Sequence, residues 1–498
     1  MAICQRFARE RLRMDFSKTS RRDALSLAGG LASALTVVGC ASHGSKRKGL
    51  VRHSQALART KDLSGTVLLA RGGHIEFAES YGLANRESGE RNTIDTKFNL
   101  ASIPKMFTAT CILQLVEAGA ISLDDTLGMH LPGYPNRDAA ERVTIAHMLL
   151  HRSGIGNYWQ GLAELDGPHP ESHRDYLPLF ANIPLEHEPG SAFSYSNGGY
   201  VVLGLIIEAV TGKSYFEHVQ QAVFDRAGMA NTGNWRQDAD VSNRAIPYMR
   251  SEEIPGEWID CSSRLEPRGS AGGGAYSTAG DLHRYATALM RNRLLGPKMT
   301  RAFLQGRSET PVGRYGYGII EQDLNGTCLL GHSGGHYGVA CELMMFPELD
   351  TTFVVLTNGD VDAYWDTEAF MHEMIAGPTD KTRNYRFTQD LVDLTVRKGL
   401  EAGVTMCHAN NDGRKAREGV VDLAAFKHIH RGQNAIGINL LQLNRAIHPK
   451  SDYAIYRLAD GLRVTGRTAP ALDMYRTYLE RVPGDADAEA RIDELTKS

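Results

Sequence analysis

The most constraining feature of this chain is an ordered set of three short motifs, each carrying a side chain suited to acyl transfer. They are Ser102-Ile-Pro-Lys105, Tyr195-Ser-Asn197 and His332-Ser-Gly334. A serine hydroxyl is a weak nucleophile at neutral pH, so it needs a neighbouring group that accepts its proton. A lysine three residues later lies one helical turn away and can be that group.

The residues after Ser102 predict that it lies at the start of a helix. Apolar residues recur at helical spacing over Lys105–Ala118, and Gly119 ends the run. The free N–H groups and the dipole at a helix start favour negative charge that develops near the serine. The motif alone also fits a helix cap followed by a surface lysine, since Ser45 and Lys48 show the same spacing.

Five segments in a fixed order resemble the serine β-lactamase and penicillin-binding protein family, most closely the branch around class C β-lactamases. Besides the three motifs, they are Leu149-Leu-His-Arg-Ser-Gly-Ile155 and Ala271-Gly-Gly-Gly-Ala-Tyr-Ser-Thr-Ala-Gly-Asp-Leu282. The resemblance covers about residues 50–375. Both additional segments are predicted to be structural turns, and His151 within the first is predicted to be structural rather than a base.

The resemblance implies roles for the first two motifs. Ser102 would be the nucleophile, and Lys105 and Tyr195 would move protons between it, the leaving group and water. As a phenol, Tyr195 would need a lowered pKa, which Lys105 would provide. Asn197 would donate a hydrogen bond to a substrate carbonyl and steady Lys105.

The resemblance also implies that a strand carrying His332, Ser333, Gly334 and Gly335 lies along the substrate. The N–H groups of Ser102 and Gly335 would hold the tetrahedral oxyanion. Penicillin-recognising members usually carry a lysine where this chain has His332, and that lysine binds a carboxylate. A histidine with an ordinary pKa of about 6.5 is mostly neutral at pH 7, so carboxylate recognition is disfavoured here.

The function that we expect is an exported serine hydrolase that acts through an acyl-enzyme on an ester, an amide or a D-amino-acid peptide. The alternatives are a true β-lactamase or D-Ala-D-Ala carboxypeptidase, or, in another class, a catalytically inactive binding or scaffold protein of the envelope. We expect a small-molecule or peptide substrate and no metal or cofactor. The formal net charge of −3 argues against a nucleic-acid partner, which usually requires a basic face.

The strand and helix patterns predict an α+β fold over residues 61–378. A hairpin is predicted from Gly65 to Tyr81, and strands are predicted over 315–320, 327–331, 340–346 and 352–356, with helices between the hairpin and these strands. Strands at both ends and helices between them fit an antiparallel sheet flanked by helices. The resemblance implies the β-lactamase and transpeptidase plan with an inserted, mostly helical lobe.

Residues 1–40 are predicted to be an export signal and not part of the fold. Paired arginines at Arg21-Arg22 precede a short apolar run, which is typical of a twin-arginine signal, and Met14 is an alternative start. The run ends in Val37-Val-Gly-Cys40, which looks like a lipoprotein cleavage box. Cys40 would then be lipidated and anchor a periplasmic protein to the membrane, while an ordinary signal with a chance cysteine is the alternative. The polar residues 41–60 are predicted to be a solvated tether.

Residues 379–498 are predicted to form a small all-α region with tetratricopeptide-like repeats. Gly432 and Gly466, and likewise Pro449 and Pro483, are 34 residues apart, which is the period of that repeat. A helical cap with accidental spacing is the alternative. Such an array packs on a neighbouring domain or offers a groove to a protein partner.

Overall fold

The computed structural model describes most of the chain, and this part divides into two compact units. The described residues are 39–60, 62–165, 167–251, 253–254 and 256–497. The first unit runs to Pro247 and continues over Cys261–Val361, and the second comprises Tyr248–Asp260 and Asp362–Ser498. The second unit therefore begins before the predicted boundary at residues 378 and 379. It also includes a short segment that the sequence analysis assigned to the hydrolase domain.

Helix α1 spans Gly39–Thr60, where the sequence analysis predicted a solvated tether. Leu50 and Leu57 are buried, and because they are seven residues apart they share one face of the helix. The tether prediction is wrong because it weighed the charged start of the segment and overlooked these two leucines. The predicted export signal up to residue 38 lies outside the described residues.

Two hairpins, several short pairs and a strand meander make up the β-structure of the described residues. In chain order the strands are β1 (Gly65–Arg71), β2 (His74–Tyr81), β3 (Leu83–Asn85), β4 (Glu90–Arg91), β5 (Phe98–Asn99), β6 (Tyr248–Arg250), β7 (Trp258–Asp260), β8 (Tyr276–Ser277), β9 (Ser308–Thr310), β10 (Gly313–Tyr315), β11 (Ile320–Leu324), β12 (Thr327–His336), β13 (Val339–Phe346) and β14 (Thr351–Thr357). Within the first unit, the main sheet has the order β2-β1-β14-β13-β12-β11-β10-β9.

The sheet is antiparallel and joins the two ends of the first unit. β1 pairs with β14, with Gly65 opposite Thr357, and the helices between β2 and β9 either pack on the sheet or form the inserted lobe. The apolar face of the sheet shares one core with these helices, as Leu343 and Val354 pack in the same buried cluster as Phe107 and Tyr285. This arrangement confirms the predicted α+β class.

The helices of the first unit flank the sheet and build the lobe. After α1 they are α2 (Lys105–Glu117), α3 (Leu127–His130), α4 (Arg137–Arg142), α5 (Ile145–Leu149), α6 (Trp159–Ala163), α7 (His173–Tyr176), α8 (Asn197–Thr211), α9 (Tyr215–Val219), α10 (Ala279–Met290) and α11 (Pro297–Phe303). Every residue of α2 from Lys105 to Leu113 is buried, which is typical of a helix that is apolar on all sides. Lys105, at the start of this helix, is therefore enclosed by the protein and removed from water.

The strand predicted over residues 315–320 is two strands with a turn between them. β10 ends at Tyr315 and β11 begins at Ile320. Gly318 has a φ of +72°, a left-handed conformation that glycine adopts without steric cost. An added side chain at Gly318 would lie 2.8 Å from the Lys105 carbonyl oxygen, so this turn sits against the start of α2.

The second unit consists of helices and the hairpin β6–β7. The helices are α12 (Val361–Ala376), α13 (Asp380–Lys398), α14 (Leu400–His408), α15 (Glu418–His430), α16 (Asn434–Ile447), α17 (Asp452–Val464), α18 (Thr468–Arg481) and α19 (Ala486–Lys497). α14, α16 and α18 begin 34 residues apart, and so do α15, α17 and α19. Consecutive helices from α15 to α19 pack on each other, so the period found in the sequence is also a period of the helices.

A buried ion network holds the middle of this helical unit. The Arg457 Nε lies 3.0 Å from Asp422, its Nη1 lies 3.1 Å from Asp460, and its guanidinium stacks 3.9 Å from the Phe426 ring centroid. All three charged side chains are almost completely buried. Removing one partner from such a network leaves buried charge uncompensated.

We therefore expect Arg457→Met to destabilise the second unit by about 3–5 kcal/mol. Chemical unfolding followed by far-UV circular dichroism measures this as a transition at lower denaturant concentration. The exposed Arg476, which pairs with Asp473 at 3.9 Å, is the matched control, and Arg476→Met should cost less than about 1 kcal/mol. Equal effects of the two substitutions would contradict a special role for the buried network.

Candidate active site

Ser102 lies in the turn that leads into α2, and a strained residue precedes it. Ala101 has a φ of 41°, a conformation that costs a non-glycine residue about 1 kcal/mol or more. The Ala101 N–H donates to Asn99 Oδ1 at 2.8 Å, and the Ala101 carbonyl accepts from the Gly274 N–H at 2.8 Å. These bonds hold the turn from both sides, so Ser102 is presented one turn before Lys105 rather than within the helix.

Lys105 is completely buried and its amine joins three parts of the chain. Nζ lies 3.2 Å from Ser102 Oγ and 2.6 Å from Asn197 Oδ1, and it also donates to the Gly272 carbonyl. A neutral amine has two N–H donors and one lone pair. If the two donors serve Asn197 and Gly272, the lone pair faces the Ser102 hydroxyl, which is the arrangement that a general base requires.

The protonation of Lys105 follows from this burial. Burial lowers the pKa of Lys105 from its ordinary value to about 7, and the carboxylate of Glu266 raises it by a smaller amount. An ammonium group loses its hydration in such a place, so the neutral form gains. A substantial fraction of Lys105 is therefore neutral at physiological pH and can accept a proton.

Tyr195 stands beside Lys105 but does not have the lowered pKa that the sequence analysis required. The Lys105 Nζ lies 4.8 Å from the Tyr195 ring centroid. Burial raises the pKa of Tyr195 above its ordinary value, and a hydrogen bond with Ser102 offsets only part of that rise. The prediction was wrong on this point because a half-neutral lysine contributes little charge, while burial penalises a phenolate. Tyr195 stays protonated and can relay a proton, but it is the poorer base.

Asn197 is oriented by a residue that the sequence analysis missed. The Asn197 N–H donates to Asn157 Oδ1 at 2.7 Å, and Asn157 Nδ2 donates to the Tyr195 carbonyl at 2.9 Å. Because Asn197 Oδ1 accepts from Lys105, its amide N–H groups point away from the lysine. Asn197 thus steadies Lys105 and retains donors for a substrate carbonyl.

The third motif lies on β12, close to the backbone of Ser102. β12 pairs with β13 as far as His336. Its pairing with β11 stops at Gly331, so β11 does not pair with the residues of the motif. A methyl group at Gly334 would lie 2.9 Å from the Ser102 nitrogen and 2.3 Å from the Leu100 oxygen, whereas no atom lies within 4 Å of such a group at Gly335. Gly334 therefore lies against the backbone of Ser102, and Gly335, where the resemblance implies the second oxyanion donor, is the next residue along the strand.

The side chain of His332, for which a contact with substrate is predicted, is buried and hydrogen-bonded within the protein. Its Nδ1 lies 2.6 Å from the Ser333 carbonyl oxygen and its Nε2 lies 3.0 Å from the Tyr315 hydroxyl. With Nδ1–H donating, Nε2 accepts from Tyr315. Burial, and then the charge of Lys105, lower the pKa of His332 to about 3. The side chain is a neutral support for β12 and carries no positive charge for a carboxylate.

A family model described as "Beta-lactamase" matches residues 51–370. The chain belongs to the β-lactamase family. Esterase EstB of Burkholderia gladioli is 30% identical over 325 residues, which are 56% of this chain and 81% of that protein. Penicillin-binding protein 4* of Bacillus subtilis is 28% identical over 354 residues, covering 68% of this chain and 78% of that protein. Among solved structures, a penicillin-binding protein from Bacillus halodurans is 35% identical with a TM-score of 0.60, covering 65% of this chain and 99% of that one.

These matches show that the chain is a serine hydrolase of the β-lactamase family. Its site also contains groups for which the sequence analysis predicted only structural roles. The glycine-rich turn that was predicted to be structural supplies the Gly272 carbonyl to Lys105. His151 accepts a hydrogen bond from the Ser196 N–H at 3.0 Å and packs 4.1 Å from the Tyr195 ring, so its contacts are structural, as predicted.

Proposed function

We propose that this β-lactamase-family hydrolase forms an acyl-enzyme on Ser102 with a substrate that is an ester, an amide or a D-amino-acid peptide. The observation that carries this proposal is the position of a buried lysine with a pKa of about 7 at 3.2 Å from Ser102 Oγ. Nucleophile and base are within reach of each other, and the base has a pKa near the working pH.

In the proposed acylation, Ser102 Oγ bonds to the substrate carbonyl carbon while its proton passes to Lys105 Nζ. The oxyanion accepts from the N–H groups of Ser102 and Gly335 until the bond to the leaving group breaks. Lys105 returns the proton to the leaving group through the Tyr195 hydroxyl, which remains a phenol. Water then attacks the acyl carbon while Lys105 takes its proton, and Lys105 returns that proton to Ser102 Oγ as the ester bond breaks and a carboxylic acid is released.

The neutral His332 supports substrates other than β-lactams and D-Ala-D-Ala peptides. Their carboxylate would meet an imidazole that is buried and committed to Tyr315 and Ser333. Placing a carboxylate next to an uncharged group loses the charge-assisted hydrogen bond that a lysine makes there. We therefore rank nitrocefin and D-Ala-D-Ala peptides below uncharged esters and amides as substrates.

Covalent labelling tests the proposed nucleophile. An activated fluorophosphonate should add its phosphonyl group to the purified full chain, which intact-protein mass spectrometry detects, and peptide mass spectrometry after proteolysis should place that mass on the peptide that contains Ser102. The Ser102→Ala variant should remain unlabelled. Equal labelling of both proteins would overturn the assignment.

The pKa of Lys105 predicts the acid side of the pH profile. Because the base must be neutral, kcat/KM for p-nitrophenyl butyrate should rise tenfold per pH unit below pH 7 and level off above it, with the midpoint at the Lys105 pKa of about 7. His332 cannot cause this limb, since its pKa of about 3 lies far below it. Initial rates over pH 5 to 9 measure the profile. A limb that is absent down to pH 5 would contradict Lys105 as the base.

We also propose export to the cell envelope with a lipid anchor at Cys40, supported by the twin-arginine pair and the residues Val37–Cys40. In the described part of the chain, no helix has both the length and the apolar character needed to cross a membrane. Radiolabelled palmitate incorporation that disappears in Cys40→Ser would support the anchor, and its persistence in that variant would contradict it.

The 34-residue helix period of the second unit supports tetratricopeptide-like repeats and, through them, a protein partner.

A further inference from the structure

Glu266 holds a carboxylate in the first unit that the proposed mechanism does not use. Its side chain is 13% exposed, as is that of His336, and its Oε2 lies 4.0 Å from His336 Nε2. The Tyr158 hydroxyl donates to Glu266 Oε1 at 3.4 Å. Burial lowers the pKa of His336 more than Glu266 raises it, so this histidine is mostly neutral. The carboxylate is therefore largely removed from water, and these two neighbours bring it no full positive charge.

Several contacts place Glu266 beside the reacting centre. His336 directly follows Gly335 on β12, and Glu266 is the charge that opposes the effect of burial on Lys105. A turn four residues further along the chain from Glu266 also reaches the lysine, since the Ser270 hydroxyl accepts from the Gly272 N–H at 3.1 Å and the Gly272 carbonyl accepts from Lys105.

The positions of His332 and His336 along β12 separate the leaving-group side of the scissile bond from the acyl side. His332 lies toward Tyr195, with ring centroids 6.5 Å apart, and Tyr195 is the group that delivers a proton to the leaving group. His336 lies four residues further, which is about 13 Å along a strand. Glu266 thus stands beyond Gly335, on the side where the acyl part of the substrate extends.

Two pairs of aromatic rings adjoin the carboxylate through Tyr158 and His336, the two residues that lie next to it. The rings of Tyr158 and Tyr176 are 4.7 Å apart and those of Trp159 and His336 are 5.8 Å apart. Carboxylates and aromatic faces together are the groups that bind an ammonium ion in proteins. An ammonium group here would also provide the positive charge that a buried carboxylate needs.

We propose that Glu266 binds a protonated amine on the acyl part of the substrate. This inference rests on the proposed acyl-enzyme function and narrows its substrates to aminoacyl esters, aminoacyl amides and peptides with a free amino group. N-acylated and purely aliphatic acyl groups lack the charge that Glu266 recognises and are poorer substrates.

The test compares benzyl esters of D-alanine and L-alanine with benzyl isobutyrate, in which a methyl group replaces the ammonium group. Each kcat/KM, measured by released benzyl alcohol, is divided by the spontaneous hydrolysis rate of that ester. We expect wild-type protein to prefer at least one alanine ester by about tenfold or more, and Glu266→Gln to reduce that ratio about tenfold or more. The matched control Glu90→Gln removes an exposed carboxylate on β4 and should leave the ratio unchanged.

A wild-type ratio near one would overturn the amine site, and so would a preference that Glu266→Gln retains. In either case, Ser102-dependent hydrolysis of benzyl isobutyrate would leave the hydrolase proposal intact. The wild-type ratio does not depend on the folding of any variant. If hydrolysis of all three esters is the same in wild-type protein and Ser102→Ala, the acyl-enzyme proposal fails and the amine site fails with it.

Discussion

Replacing Ser102 by alanine should lower kcat for p-nitrophenyl butyrate by about 10⁴-fold or more, because it removes the hydroxyl that lies within hydrogen-bond reach of Lys105. Ser102 Oγ and Lys105 Nζ are 3.2 Å apart, and the Ser102 nitrogen lies against Gly334. The substitution removes the attacking atom and leaves the backbone N–H in place.

Steady-state rates and thermal melts of both proteins measure this effect. Ser102 is partly exposed and its side chain is small, so Ser102→Ala should melt within a few degrees of wild type. A loss of turnover with an unchanged melt would assign the effect to chemistry. Turnover within tenfold of wild type in Ser102→Ala would remove Ser102 from the mechanism.

Replacing Lys105 by methionine should lower kcat/KM by about 10³-fold, within the range that general-base catalysis supplies. Methionine has nearly the same length and fills the buried space, but its thioether sulfur is far too weak a base to accept the Ser102 proton at neutral pH. Asn197 Oδ1 and the Gly272 carbonyl lose their donor as well. The pH dependence expected near pH 7 should disappear with the lysine.

A second buried lysine provides the control for this variant. Lys97 is 7% exposed and its Nζ donates to the Ser242 carbonyl at 3.0 Å, and it does not contact the reacting groups. Lys97→Met should change thermal stability and leave kcat/KM within about threefold of wild type. If Lys97→Met and Lys105→Met lowered kcat/KM equally, the loss would reflect burial of a lysine rather than its role as a base.

The parts of this site that could be predicted from the sequence are those that depend on near neighbours. The spacing of Ser102 and Lys105 places them one helical turn apart in any helix, and the apolar residues that follow predict α2. The hairpin β1–β2 and the strands β12 to β14 could likewise be predicted from alternation and turn residues. The burial of Leu50 and Leu57 was overlooked because the charges that precede them dominate the composition of that segment.

The protonation states could not be predicted, since they depend on groups far apart in the chain. Lys105 has a pKa of about 7 because the fold encloses it with Gly272 and Asn197. The same enclosure raises the pKa of Tyr195, which the sequence analysis expected to be lowered. Glu266 showed no motif at all, and only its distances to Tyr158 and His336 reveal it.

By itself, the sequence determined the family, the α+β class and the spacing that places Ser102 one helical turn from Lys105, because these follow from local spacing and from the order of segments along the chain. Tertiary structure alone decided that burial favours the neutral form of Lys105, that the His332 side chain is buried against Tyr315 and Ser333, and that a carboxylate stands near His336. Burial and nearby charges set those properties. Both depend on residues that are distant in the sequence and come into contact only when the sheet and the helical lobe pack around α2.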